Sequence, residues 1–108
     1  MTLYTSNTYA IALEEAAEHW HWLNGALNAE FLFLDFKEAF AFMQQVANLA
    51  ENHQHHPDWQ NIYNKVQIRL HTHDQKAVTD LDIELAKSIS ALYAVSYTHL
   101  TLPTNREV

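Results

Sequence analysis

Between residues 8 and 18 apolar side chains recur at helical steps. Ala10, Ile11, Leu13, Ala16 and Ala17 lie on one side, with Glu14, Glu15 and Glu18 on the other. This spacing predicts an amphipathic helix over 8–18, capped by Thr8 or Asn7. The period then drops to two. His19-Trp20-His21-Trp22 alternates, and Asn24-Gly25 separates it from a second strand-like run. A hairpin follows, with strands at 19–23 and 26–34, because both turn residues tolerate φ > 0. Gly25 is the only glycine in the chain, so its position marks a backbone requirement.

Asp35 followed by Glu38 is a capping-box spacing that opens a second helix. Phe36, Phe40, Met43, Val46, Ala47 and Ala50 recur as its apolar stripe, read as core. The helix should end near Asn52–His53, since Pro57 disfavours helical backbone at His56. From Trp59 to Thr72, Ile62, Val66, Ile68 and Leu70 alternate with polar residues. A single strand of that length would be unusual. A turn at Tyr63-Asn64-Lys65, with Asn64 in the left-handed region, divides it into two. Val66, Ile68, Leu70 and Thr72 face the core, and Gln67, Arg69, His71 and His73 face away. Thr79 caps a last helix with Asp80 and Asp82 in its first turn. Leu81, Leu85, Ile89 and Leu92 form its stripe to about Ala94. The order α-β-β-α-β-β-α predicts an α+β fold, a four-stranded antiparallel sheet with three helices packed on one face. Residues 1–95 form this domain. Residues 96–108 (SYTHLTLPTNREV) carry no helical stripe and are expected to be a short extra strand, a disordered end or sequence foreign to the domain. His99 is therefore left out of the site.

Composition narrows the function. A chain of 108 residues that is 48% hydrophobic can bury a core without disulfides or metal. The absence of cysteine excludes disulfides and thiolate metal sites. Six Lys+Arg stand against thirteen Asp+Glu, with no basic stripe, so direct nucleic-acid contact is not expected. No apolar run approaches the ~20 residues that span a bilayer. The N-terminus lacks the basic-then-apolar order of a signal peptide, so a cytoplasmic location and no membrane contact are expected.

The candidate chemistry lies between Glu51 and His73, which hold five of the eight histidines. His53, His55 and His56 precede Pro57, and His71 and His73 close the far end. Imidazoles so placed suit a metal site or metal-free proton transfer by groups with pKa near 6.5. Spacing leaves both open. His53, at a helix end, and His71, on a strand, read as surface residues; His19 and His21 read as surface or packing residues around Trp20.

Glu51-x-x-x-His55-His56-Pro57, then Tyr63, His73 and Asp82, resembles the signature of the pterin-4a-carbinolamine dehydratases. Phe31-x-Phe33-x-Asp35-Phe36, Ala39-Phe40-x-Phe42, Val46-Ala47-x-x-Ala50-Glu51, Thr72-His73-Asp74 and Val78-Thr79-x-x-Asp82 are similar too. The resemblance covers roughly residues 8–93. It implies an enzyme that eliminates water from 4a-hydroxytetrahydropterin to give quinonoid dihydropterin, recycling the cofactor of aromatic amino-acid hydroxylases. It implies no metal or redox cofactor, the pterin being substrate, and a homodimer or homotetramer. Animal members also serve as dimerisation cofactors of a homeodomain transcription factor, so a non-catalytic partner protein binding through its sheet face is the alternative.

His55, His56 and His73 match the family's three active-site histidines. His56 is expected to position substrate and contribute a proton path, with His55 and His73 the acid candidates. Glu51, Pro57, Trp59 and Asp82 are the substrate-side candidates. Glu51 would orient an imidazole or meet the pterin's amino edge, Pro57 would fix the loop, and Trp59 would form an apolar wall. Asp82 would return a bond to the Thr79 backbone. Tyr63 reads as a turn or packing residue.

Overall fold

Asn24 and Gly25 both adopt the left-handed conformation, with φ of 52° and 72°. The chain reverses there between two strands, Trp20–Leu23 and Ala26–Leu32, as the Asn-Gly pair predicts. The computed structural model describes residues 2–97. Its elements are β1 (Leu3–Tyr4), α1 (Tyr9–Leu13) continued by a 3₁₀ segment (Glu14–Glu18), β2 (Trp20–Leu23) and β3 (Ala26–Leu32). They continue with α2 (Phe36–His53), β4 (Asp58–Ile62), β5 (Lys65–Leu70), β6 (Val78–Thr79) and α3 (Asp80–Tyr97). Residues 98–108, most of the expected tail, lie outside the described residues.

The main sheet has the order β2-β3-β5-β4, all antiparallel, so β4 is an edge strand. Val66, Ile68 and Leu70 of β5 and Leu27, Ala29 and Phe31 of β3 are buried on one face under the helices. The expected α+β architecture is present. The structure adds a short second ladder, with Leu3 opposite Thr79 and Tyr4 opposite Val78. Two-residue strands carry too little periodicity to be seen in a sequence.

Several local expectations need correction. The first helix does not run unbroken over 8–18. Glu14 takes φ 57°, and beyond it the chain tightens into 3₁₀ turns. This break lets Leu13 and Ala16 both face the core while Ile11 is exposed. In the β4–β5 turn the left-handed residue is Tyr63 (φ 49°), not Asn64. Asn64 instead clasps β3: its carbonyl accepts from Phe33 N–H (2.9 Å) and its Nδ2 donates to Phe33 O (3.0 Å).

The α2 stripe is also shifted. Asp35 caps the helix by accepting from Glu38 N–H at 2.9 Å, as expected. The buried positions, however, are Ala39, Phe42, Val46 and Ala50, whereas Phe36, Phe40 and Ala47 are exposed. Phe36 and Phe40 stack on each other at 5.9 Å on the helix flank. Both sets obey three- and four-residue spacing, so periodicity alone cannot rank them. On α3 the buried arc runs through Asp82, Ile83, Leu85, Ala86, Ile89, Ser90 and Tyr93, with Leu81 and Leu92 only half-buried.

Two polar links tie the ends of the fold to its core. Ser90 Oγ accepts from Trp20 Nε1–H at 2.9 Å and lies 3.1 Å from His19 Nδ1. At the N-terminus, Tyr4 O–H donates to Asp80 Oδ1 at 2.7 Å, and Thr2 N–H donates to Asp80 Oδ2 at 3.0 Å.

Ser90→Ala would leave the buried indole N–H without an acceptor and should cost about 1–3 kcal/mol in urea unfolding; no measurable loss would remove Ser90 from the framework. The Tyr4–Asp80 bond holds the Asp80 carboxyl below its ordinary 3.8 and the Tyr4 phenol above its ordinary 10.0. The Asp80 contribution is therefore complete above about pH 4 and lost as pH falls through the depressed value. The Tyr4 contribution is complete below about pH 10 and lost as pH rises through the elevated one. Amide protection in β1 and β6, measured relative to the intrinsic exchange rate at each pH, should fall at both extremes, and in Tyr4→Phe at neutral pH. A flat profile in the wild type would refute the link.

Candidate active site

The site is built where α2 stops and β5 runs out. Gln54 takes the left-handed conformation (φ 53°) at the end of α2. Its amide bonds to Glu51 O at 3.2 Å, and the His55 amide bonds to Ala50 O at 3.0 Å. That paired closure is a Schellman motif, unusual in lacking glycine. It turns the chain so that His55 enters the protein while His56 stays outside. Pro57, half-buried, follows, and β4 begins at Asp58.

His55 is nearly buried, with a tenth of its side chain exposed. Its Nε2 lies 2.5 Å from Asp82 Oδ1. A carboxylate can only accept here, so Nε2 carries the proton and Nδ1 is the ring nitrogen left for chemistry. Asp82 is fully buried on the first turn of α3. Its second oxygen accepts from Thr72 O–H (2.8 Å) and from Thr79 N–H (2.9 Å). The Thr72 and Thr79 hydroxyls lie 2.7 Å apart, and Thr79 Oγ1 accepts from Leu81 N–H at 3.2 Å. The buried charge is thus satisfied on both oxygens by donors from three segments.

His56 is exposed, and its Nε2 donates to Glu51 Oε2 at 2.6 Å. Glu51 and His56 form one solvent-facing pair across the end of α2. His73 opens the turn of residues 73–76, where the Lys76 amide bonds back to its carbonyl at 3.1 Å. Asp58 stands opposite Arg69 in the β4–β5 register. The residues entering β4 (His55–Pro57) therefore lie beside those leaving β5 (His71–His73) on one edge of the sheet. His71 and His73 rings meet at 4.4 Å in T-shaped contact. Burial holds the His71 imidazole below its ordinary 6.5, aided by the neighbouring His73 and Arg69.

Each residue singled out in the sequence has a definite place. His55, His56 and His73 share this edge. Glu51 orients His56, and Asp82 orients His55. Asp82 has no exposed surface, and its carboxylate is bonded to His55, Thr72 and Thr79. The return bond from Asp82 to the Thr79 backbone is present. Trp59 stands opposite buried Ile68, on the helix-covered side of the β4 edge, and is 37% exposed. Tyr63 lies in the distal turn, and His53 sits 3.3 Å from Ser88 on α3. Sequence reasoning missed Thr72 as a ligand of Asp82. The signal was a threonine at the inward position of a strand otherwise filled by Val66, Ile68 and Leu70.

A model of the family described as Pterin 4 alpha carbinolamine dehydratase matches residues 2–92. The chain belongs to the pterin 4 alpha carbinolamine dehydratase family. A protein of Synechococcus sp. (strain WH7803), provisionally named a pterin-4-alpha-carbinolamine dehydratase, is 52% identical over 80 residues, or 74% of this chain and 86% of that one. Another of that provisional name, from Bradyrhizobium sp. (strain ORS 278), is 49% identical over 77 residues, 69% and 77% of the two chains. The crystal structure of a transcriptional coactivator/pterin dehydratase from Brucella melitensis superposes with a TM-score of 0.76. It is 39% identical, and the match covers 84% of this chain and 98% of that one. The family resemblance read from the signature residues is therefore shown.

Asp82→Asn would point an amide N–H₂ at donors that now meet oxygen. It should cost about 1–3 kcal/mol for the donor left unpaired. Nitrogen NMR of the imidazole should also show His55 losing its fixed Nε2–H tautomer. Wild-type stability with the tautomer unchanged would refute the positioning role of Asp82.

Proposed function

We propose that this family member is a 4a-hydroxytetrahydropterin dehydratase that works by histidine acid–base catalysis. The observation that carries this reading is the His55–Asp82 pair. An imidazole fixed by a buried carboxylate sits on the edge that also carries His56 and His73, in a chain matching the family over residues 2–92.

The chemistry suits these groups. Elimination breaks the C4a–O bond, and hydroxide is a poor leaving group, so an acid must deliver a proton as the oxygen departs as water. A ring N–H must then lose a proton to complete the C=N bond. One proton is given and one is taken, so nothing is oxidised or reduced, and an imidazole can serve as either acid or base. With Nε2–H committed to Asp82, neutral His55 offers the Nδ1 lone pair as base; once protonated, the same nitrogen returns the proton as acid. His73, exposed in its turn, is the complementary acid. His56, braced by Glu51, positions the substrate and relays protons, and Pro57 fixes the loop between them. Trp59 supplies an apolar wall at the β4 edge. No metal or redox cofactor takes part in this scheme. The product feeds reductive recycling of the pterin cofactor of aromatic amino-acid hydroxylases.

The exposed flank of Phe36 and Phe40, with Leu34 beside it, is an apolar patch of the kind that self-associates, and we assign it to a homo-oligomer. Among the described residues no helix is long and apolar enough to cross a membrane. A second reading has one observation behind it. The Brucella protein is titled a coactivator as well as a dehydratase, and the helix-free sheet face of this chain is open. A non-catalytic partner protein would dock on that face.

Stopped-flow detection of quinonoid dihydropterin decides between the two. His55→Ala and His73→Ala should each slow its formation by about 10²–10⁴-fold. A double variant that matches the wild-type rate would sink the mechanism. A wild type without any rate, yet retaining partners in a pulldown, would favour the second reading.

A further inference from the structure

Three polar side chains outside the His55–Asp82 network converge at the same edge. Asp58 opens β4; His71 and His73 follow β5 at alternate positions, so both point away from the core that takes Leu70 and Thr72. Asp58 pairs in register with Arg69, which makes His71 its diagonal neighbour on the same face. One ligand atom from each of Asp58, His71 and His73 lies within 4.8 Å of the other two. Nothing in the proposed dehydration uses Asp58 or His71.

We propose that Asp58, His71 and His73 bind a divalent transition-metal ion, and that an ion bound there withdraws His73 from proton transfer. Two imidazoles and one carboxylate form a nitrogen-rich donor set suited to Zn²⁺, Co²⁺ or Ni²⁺ rather than to the oxygen-seeking Mg²⁺ or Ca²⁺. Metal–ligand bonds of about 2.0–2.2 Å place neighbouring donor atoms roughly 3.3 Å apart in a tetrahedron. The remaining gap closes by side-chain rotation. Asp58 and His73 are exposed, and His71 is half-buried. The competing cation is Arg69, whose Nη1 holds a single Asp58 oxygen at 3.5 Å. That contact is long enough to leave the second oxygen available as a ligand. Water would complete the coordination shell. An ion drawing on the His73 lone pair removes the proton carrier on the exposed side of the substrate position. The binding half of this inference stands by itself; the inhibitory half rests on the dehydratase reading.

The test uses the full chain and ZnCl₂, titrated calorimetrically, with Co²⁺ absorption reporting the ligand set. One equivalent should bind, and His71→Gln should weaken binding by more than about 100-fold, beyond the 10–100-fold cost of losing an outer-shell partner. Absence of binding, or binding that survives His71→Gln, would overturn the site, the latter placing the ion on another group such as Glu51–His56. In the dehydratase assay, Zn²⁺ should suppress the wild type and spare His71→Gln. Zinc bound with the rate unchanged would overturn the inhibitory half. A metal-free wild type with no rate at all would instead defeat the dehydratase reading while leaving the calorimetric result to decide the site.

Discussion

A single buried carboxylate holds together the parts of the chain that form the candidate site. Asp82 receives the His55 imidazole from the loop before β4, the Thr72 hydroxyl from the end of β5, and the Thr79 amide at the start of α3. Taking a charge out of water is costly unless every lone-pair direction finds a donor. Here the cost is offset only while all three segments are in place. The position of His55 is thus tied to the closure of the fold around it. Thr79 also pairs with Leu3 in the small N-terminal ladder, so the first residues brace the same junction from outside.

The scaffold around that junction divides its labour. A core of aromatic and aliphatic residues, centred on Phe31, Phe42 and Tyr93, sits between the sheet and the helices. The histidines sit at the margin of the sheet, where β4 is the outermost strand. The packing that stabilises the domain and the histidines of the candidate site are therefore mostly separate, with Asp82 the shared residue. This arrangement leaves His56 and His73 open to solvent without breaching the core.

Much of this could be read from the sequence, and the parts that could not have specific causes. The Asn24-Gly25 hairpin, the Asp35 cap and the inward row Val66, Ile68, Leu70 and Thr72 follow from local stereochemistry and period. The stripe of α2 was misplaced because Phe36 and Phe40 obey the same spacing as Ala39 and Phe42. The larger Phe36 and Phe40 lie on the exposed flank, while the small Ala39 takes a fully buried position. The break at Glu14 and the left-handed Tyr63 carry no glycine or asparagine to announce them. For the site, the signature supplied the residues and their family; it could not supply the partners. That Glu51 belongs to His56, and Asp82 to His55, depends on the turn at Gln54. Residues that meet only after folding, such as Asp58 with His71, leave no mark in a linear pattern.

The turn at Gln54 also sets a parity. His55 and His56 are chemically identical neighbours, yet one is dry and bound to a buried acid while the other is wet and bound to an exposed one. The same alternation separates Thr72, turned inward, from His71 and His73 on either side. Which imidazole becomes the fixed one is decided by odd or even count from the helix end, not by the side chain itself. A one-residue insertion between Gln54 and His55 would move both imidazoles out of register with their carboxylates while leaving the composition of the loop almost intact. The His-His pair works as a digital feature of the chain: its meaning lies in register.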